Sequence, residues 1–189
     1  MTKSILLVGV GGQGTILASK ILSQGLLQTG FDVKMSEIHG MSQRGGSVST
    51  HVRYGNKVYS PVIERGGADI LVSFEQMEAL RWLEYVKPEG KAIVNNLVIN
   101  PMPVLIGAAQ YSDKILDEMA AKVDTTVLDA HEEAMKLGNP KVLNIVLLGA
   151  TIKLMGLTDI NWADIIKGNV RPAFVEINQK AFERGMDLV

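Results

Sequence analysis

The stretch KSILLVGVGGQGTILASKILSQGLL, beginning at Lys3, constrains the fold more than any other part of the chain. Residues 5–10 are a nearly continuous apolar run, as a strand buried on both faces requires. Glycines at positions 9, 11, 12 and 14 then force a tight turn. Beyond it, Ile16, Leu17, Ile21, Leu22, Leu26 and Leu27 recur at close to helical spacing. FDVKMSEI reads as a second strand, so the opening predicts a strand–helix–strand unit with parallel pairing in an α/β sheet.

The period changes at Ser47. In SVSTHVRY, Val48, Thr50, Val52 and Tyr54 alternate with Ser47, Ser49, His51 and Arg53, the signature of a half-exposed strand. Gly55 and Asn56 follow, then KVYS, which predicts a two-residue hairpin turn. ADILVSF is a further buried strand, leading into a helix at EQMEALRWLEYV and a strand at KAIVNN. Pro101 and Pro103 interrupt a segment with no clear period. SDKILDEMAAKV reads as a helix with Ser112 as N-cap, and TTVLD as a short strand. Helices dominate from Ala130 onward. NPKVLNIVLLGATIKLMG is apolar nearly all round and must be buried, in the core or against another subunit. The expectation is an α/β, three-layer, Rossmann-like single domain over residues 1–189. Its sheet is mixed, with a parallel core plus an antiparallel hairpin, and its C-terminus is helical.

Charge and cysteine content exclude several functions. Nineteen basic residues stand against twenty acidic ones, a net charge of −1, so the electrostatic basis for nucleic-acid binding is missing. The chain has no cysteine, which rules out disulfides, a Cys-ligated iron–sulfur cluster and a thiol nucleophile within it. The apolar run at residues 5–10 is too short for a secretory leader. No segment approaches the roughly 20 apolar residues of a membrane span. A cytoplasmic protein without membrane contact is expected.

Gly9, Gly11, Gly12, Gln13 and Gly14 belong to a G-x-G-x-x-G placed after a strand and before a helix, the context a dinucleotide fingerprint needs. Glu37, ending the second strand, could serve as the acidic ribose ligand. A phosphate loop would carry lysine where Thr15 stands, and a nicotinamide dehydrogenase would need a further substrate domain. Two readings stay open: a phosphate cradle, or a tight turn that only permits close packing.

The densest polar cluster is HGMSQRGGS, with His39, Gln43 and Arg44 followed by Gly45 and Gly46. Arg44 and the glycine N–H groups suit an anion, while His39 and Gln43 suit hydrogen bonding or proton transfer. No Ser–His–Asp set and no metal-ligand set is legible, so a loop that binds an anion or a partner is favoured over a complete active site. His131, Glu132 and Glu133 read as a solvated helix start, and His51 and Arg53 as a solvated strand face.

Taken together, VGVGGQGTILASKIL, SEIHGMSQRGGSVSTHVRYG and VYSPVIERGGADILVSFEQMEALRWL resemble the gamma-type subunit of the 2-oxoacid:ferredoxin oxidoreductases over essentially the full length. HGMSQRGGS points to the indolepyruvate branch, because the pyruvate and 2-oxoglutarate branches usually vary this loop around a kept Arg-Gly-Gly. The resemblance implies a subunit, inactive alone, of complexes that decarboxylate a 2-oxoacid on thiamine diphosphate. Those complexes pass electrons through iron–sulfur clusters to ferredoxin and the acyl group to coenzyme A. Aryl pyruvates are the substrates of the indolepyruvate branch.

Asn95 and Asn96 lack the upstream Gly-Asp-Gly of a thiamine site. The resemblance therefore places thiamine diphosphate and clusters on a large catalytic subunit, with this chain completing the active-site wall and helping to hold coenzyme A. Residues 36–47 would face that partner. Arg44 would bind the anion, Gly45 and Gly46 would allow close approach, and His39 and Gln43 would supply hydrogen bonds. Residues 9–14 are a second anion candidate. The alternatives are a pyruvate or 2-oxoglutarate gamma subunit, a stand-alone nucleotide-binding protein, or an assembly scaffold.

Overall fold

In the computed structural model, which describes residues 2–40 and 45–189, the apolar run becomes a central strand of one mixed sheet. The strands are β1 (Lys3–Val10), β2 (Asp32–His39), β3 (Ser47–Gly55), β4 (Ala68–Ser73), β5 (Val86–Asn95) and β6 (Asp124–Leu128). Their order is β2-β3-β1-β4-β5-β6. β1, β4, β5 and β6 run parallel. β3 is antiparallel to both β1 and β2. The helices are α1 (Thr15–Gln28), α2 (Gln76–Trp82), α3 (Met102–Leu105), α4 (Ile115–Lys122), α5 (Ala130–Lys136), α6 (Leu143–Met155), α7 (Trp162–Asn169) and α8 (Val175–Asp187).

Strand alternation divides the core in two. Ile5 and Leu7 pack on one face with Leu22 and Leu26 of α1, Ile145 of α6 and Phe182 of α8. Leu6 and Val8 pack on the other with Ala79 of α2 and Met119 of α4. Helices thus cover both faces, which is why β1 is apolar at successive positions rather than alternate ones. The expected three-layer α/β architecture, mixed sheet and helical C-terminus are all present.

Two expectations about the sheet need correction. β1 and β2 point the same way but do not pair, because β3 lies between them. The hairpin is formed by β2 and β3, not by a turn at Gly55 and Asn56. KVYS is no strand; residues 57–67 cross the sheet as an irregular strap. No ladder pairs it; side chains meet several of its backbone groups, and the Gly66 N–H donates to the Glu84 carbonyl at 2.9 Å. Asp32 accepts from the Val58 N–H at 2.8 Å, and His51 Nδ1 from the Ile63 N–H at 3.0 Å. Arg53 donates to the carbonyls of Ser60 and Val62 at 3.2 and 3.1 Å.

β3 is therefore not half-exposed. Ser49, Thr50 and His51 are all buried. The His51 ring stands edge-on to Trp82 and Tyr85 under the strap. His51 and Arg53 of SVSTHVRY serve the strap's backbone rather than water, since a buried N–H or C=O must find a partner.

Other differences are local. Ser112 does not cap a helix: its Oγ accepts from the Lys114 N–H, and α4 begins at Ile115. The segment after Pro101 forms the single turn α3. Glu133 is buried rather than solvated, held by Arg184 Nε at 2.6 Å and Lys136 Nζ at 2.7 Å. The apolar helix α6 belongs to the core, with residues 143–152 all buried.

Candidate functional site

The carboxyl end of β1 is where this sheet reverses its winding: the chain leaves β1 towards β2 on one side, and β4 extends the sheet on the other. Open α/β sheets bind ligands at such a point, beyond the carboxyl ends of the strands. The glycine turn sits there.

Gly9 has no room for a side chain, because a Cβ would lie 2.8 Å from Gln13 Oε1 and 2.9 Å from Phe74 Cβ. Gln13 folds back as a bracket. Its Oε1 accepts from the Val10 N–H at 2.7 Å, and its Nε2 donates to the Phe74 carbonyl at 2.9 Å. The buried Asn95 donates to that same carbonyl at 3.1 Å. Asn96 donates to Asp129 and accepts from Gln76, so both asparagines hold strand ends together. Gly14 caps α1 in the left-handed region at φ +82°, and its carbonyl accepts from Asn144 of α6 at 3.1 Å.

The two glycine loops form one object. Val10 pairs with Ser47 at the end of the β1–β3 ladder. Beyond it, the Gly11 N–H donates to Gly46 O at 2.8 Å and the Gly45 N–H to Gly11 O at 3.4 Å. Gly11 and Gln13 are thereby occupied within the protein. Gly12, at φ +103°, has open space where a Cβ would stand. It lines a cleft of about 440 Å³ with Gly11, Gly14, Thr15, Ile16, Glu37 and His39. Glu37 and His39 are two apart on β2 and so share a face. The first turn of α1 gives this cleft unpaired N–H groups and a positive dipole end, which favour an anion.

A second cleft of about 440 Å³ opens beside Gly45, Gly46 and Ser47, walled across from them by Ile99, Pro101 and Leu105. Its floor is the first turn of α2. Glu78 accepts from Ser47 Oγ at 2.5 Å and from Arg81 Nε at 3.2 Å. Glu75 accepts from the Glu78 N–H at 2.9 Å, the Ile99 N–H at 3.2 Å and the Tyr111 hydroxyl. Burial and the Glu75 hydrogen bond push the Tyr111 phenol well above its ordinary pKa, so it acts as a donor and not as a base.

Of the residues singled out from sequence, the structure brings His39 and Glu37 to the first glycine loop. It sets Gly45 and Gly46 against Gly11. Gln43 and Arg44 lie outside the described residues. Sequence reasoning placed Ser47 in the partner-facing loop without a role of its own, and missed Glu75, Glu78, Tyr111 and Asn144 as parts of the site. The Glu75-x-x-Glu78 spacing ahead of a helix was a visible capping signal; Asn144, 130 residues from Gly14, had none. Among the described residues, no three His, Asp or Glu side chains gather to hold a metal.

The family described as pyruvate ferredoxin/flavodoxin oxidoreductase matches residues 4–188. The indolepyruvate oxidoreductase subunit IorB of Thermococcus kodakarensis is 38% identical over 191 residues, covering 97% of this chain and 94% of that protein. The keto/oxoacid ferredoxin oxidoreductase gamma subunit from Geobacter sulfurreducens superposes with a TM-score of 0.73 at 25% identity, over 98% of this chain and 97% of that one. The fold also recurs, with a TM-score of 0.78 at 17% identity, in a 2-oxoglutarate:ferredoxin oxidoreductase from Magnetococcus marinus. That match covers 99% of this chain and 31% of the longer one.

Proposed function

This chain belongs to the pyruvate ferredoxin/flavodoxin oxidoreductase family, and from that premise we propose that it is the small, non-cluster subunit of an indolepyruvate:ferredoxin oxidoreductase. The complex would oxidatively decarboxylate aryl pyruvates to aryl-acetyl-coenzyme A and reduce ferredoxin. The observation that carries this reading is the full-length identity to the IorB subunit. A large partner subunit would hold thiamine diphosphate and the iron–sulfur clusters, since this chain has no cysteine to ligate a cluster. Among the described residues no helix is long and apolar enough to cross a membrane, in keeping with action in the cytoplasm.

The chain's own part is to wall the shared site. The first cleft suits a phosphate-bearing ligand: Gly12 leaves its backbone open and α1 presents its N-terminus there. Gly9, Gly11, Gln13 and Gly14 shape that cradle, while Gly12 and the first residues of α1 would touch an anionic end of coenzyme A. Coenzyme A, when bound, supplies the thiol that accepts the acyl group. Arg44 would bind a second anionic group, with Gly45 and Gly46 allowing close approach and His39 and Gln43 donating hydrogen bonds towards the partner.

The test is reconstitution. The chain and its large partner, purified together, should reduce a dye in the presence of an aryl pyruvate and coenzyme A, while neither does so alone. Full turnover by the large subunit without this chain would overturn the shared site. Arg44→Ala should raise the KM for coenzyme A, and an unchanged KM with intact assembly would remove Arg44 from the role. A thermal shift of the isolated chain with NAD or FAD would favour a stand-alone nucleotide-binding protein instead.

A further inference from the structure

The second cleft has an unusual construction. Two carboxylates, Glu75 and Glu78, lie three residues apart at the start of α2 and are almost fully buried. Glu75 is the extended N-cap, its carboxylate accepting from the Glu78 N–H, while Glu78 lies in the first helical turn, so the two side chains reach opposite walls. Glu78 grips Ser47, the residue that follows Gly45 and Gly46, and is itself held by Arg81. Glu75 grips the other wall at both ends, through the Ile99 N–H and the Tyr111 hydroxyl. Between those two points runs the segment with Pro101, Met102 and Leu105 that faces the glycines across the cleft.

Buried carboxylates are costly unless hydrogen-bonded, and fully bonded ones fix their partners in place. We propose that Glu75 and Glu78 are positioning residues that hold the two walls of this cleft at a set separation, and that Ser47–Glu78 fixes Gly45 and Gly46 for ligand contact. The glycine loops inherit that placement, because Gly46 O accepts from the Gly11 N–H at 2.8 Å. A change at Ser47 is thereby felt on both sides of the first loop. The functional half of this inference rests on the reading that residues 45–46 wall the coenzyme A site.

The experiment uses Ser47→Ala, Glu78→Gln and Tyr111→Phe, with Ser47→Thr as the conservative variant that keeps the hydroxyl. In the full chain, amide hydrogen exchange at Gly11 should accelerate about tenfold in Ser47→Ala and Glu78→Gln, and return towards the parent rate in Ser47→Thr. In the reconstituted complex, Ser47→Ala should raise the KM for coenzyme A about tenfold with kcat little changed, and Ser47→Thr should restore it. Tyr111→Phe should raise the same KM by loosening the opposite wall. Unchanged exchange in both Ser47→Ala and Glu78→Gln would overturn the clasp. Faster exchange with every kinetic constant unmoved, or a fall in Tm and kcat with KM constant, would overturn its positioning role. If the parent complex shows no coenzyme-dependent turnover, the functional reading fails while the exchange result still decides the clasp.

Discussion

Gly149 of α6 and Gly185 of α8 each stand where the other helix's backbone passes. A Cβ on Gly149 would strike the Phe182 carbonyl, and one on Gly185 the Val146 carbonyl. Either Gly149→Ala or Gly185→Ala must force the two helices apart, and α6 is buried along most of its length. Each should cost about 1–3 kcal/mol as overpacking of a filled core. Chemical denaturation at neutral pH checks this; a change within error would mean that the crossing can widen freely.

Glu133 gives the fold an acid-sensitive clasp. Hydrogen bonds from Arg184 and then Lys136 hold its pKa down to about 2, against an ordinary 4.5. Its stabilising contribution is present above pH 4.5 and is lost as pH falls from there towards 2. Because both cations are partly exposed, about 1 kcal/mol is expected. Arg184→Ala should lower stability at neutral pH and weaken its decline over that acidic window, as read by urea unfolding at a series of pH values.

His51 has the opposite protonation logic. Burial lowers its pKa below 6.5, and its Nδ1 is the acceptor for the Ile63 N–H. Below pH 6.5 the unfolded chain takes up a proton that the folded one resists, so stability should fall as pH drops through that value. His51→Phe should remove this slope. It should also leave the Ile63 N–H unpaired at a cost of about 1–3 kcal/mol, visible as faster exchange in the strap.

Gln13→Glu probes the bracket of the glycine turn. A carboxylate keeps the acceptor for the Val10 N–H but replaces the donor to the Phe74 carbonyl with a second oxygen. A loss of about 2 kcal/mol is expected, with Gln13→Ala losing both bonds. Urea midpoints compare the two; equal stability of Gln13→Glu and the parent would show the Phe74 bond to be dispensable.

What was legible followed from periodicity. β1 and the buried α6 announce themselves because burial on all sides leaves almost no polar position, and the glycine turn and α1 through their glycines and a helical apolar period. SVSTHVRY was misread because alternation shows which side chains are polar without showing what they face. His51 and Arg53 face the strap's backbone, and no local pattern marks residues 57–67 as its path. The paired carboxylates were visible as a capping signal, but their partners Ser47 and Tyr111 lie 31 and 36 positions away. Such links exist only once the sheet has brought strand ends together.

The interposed β3 changes what the glycine fingerprint can do. In an ordinary dinucleotide fold the acidic residue ending the second strand stands one strand away from the glycine turn. Here Glu37 is two strands away, a lateral reach of about 9.6 Å instead of about 4.8 Å. Glu37 still lines one cleft with Gly12 and Thr15, and Val48 of β3 lines it too, so a ligand gripped at both points must span the extra strand. β2 becomes an outrigger, carrying Glu37 and His39 beyond the turn and towards whatever closes the cleft from outside.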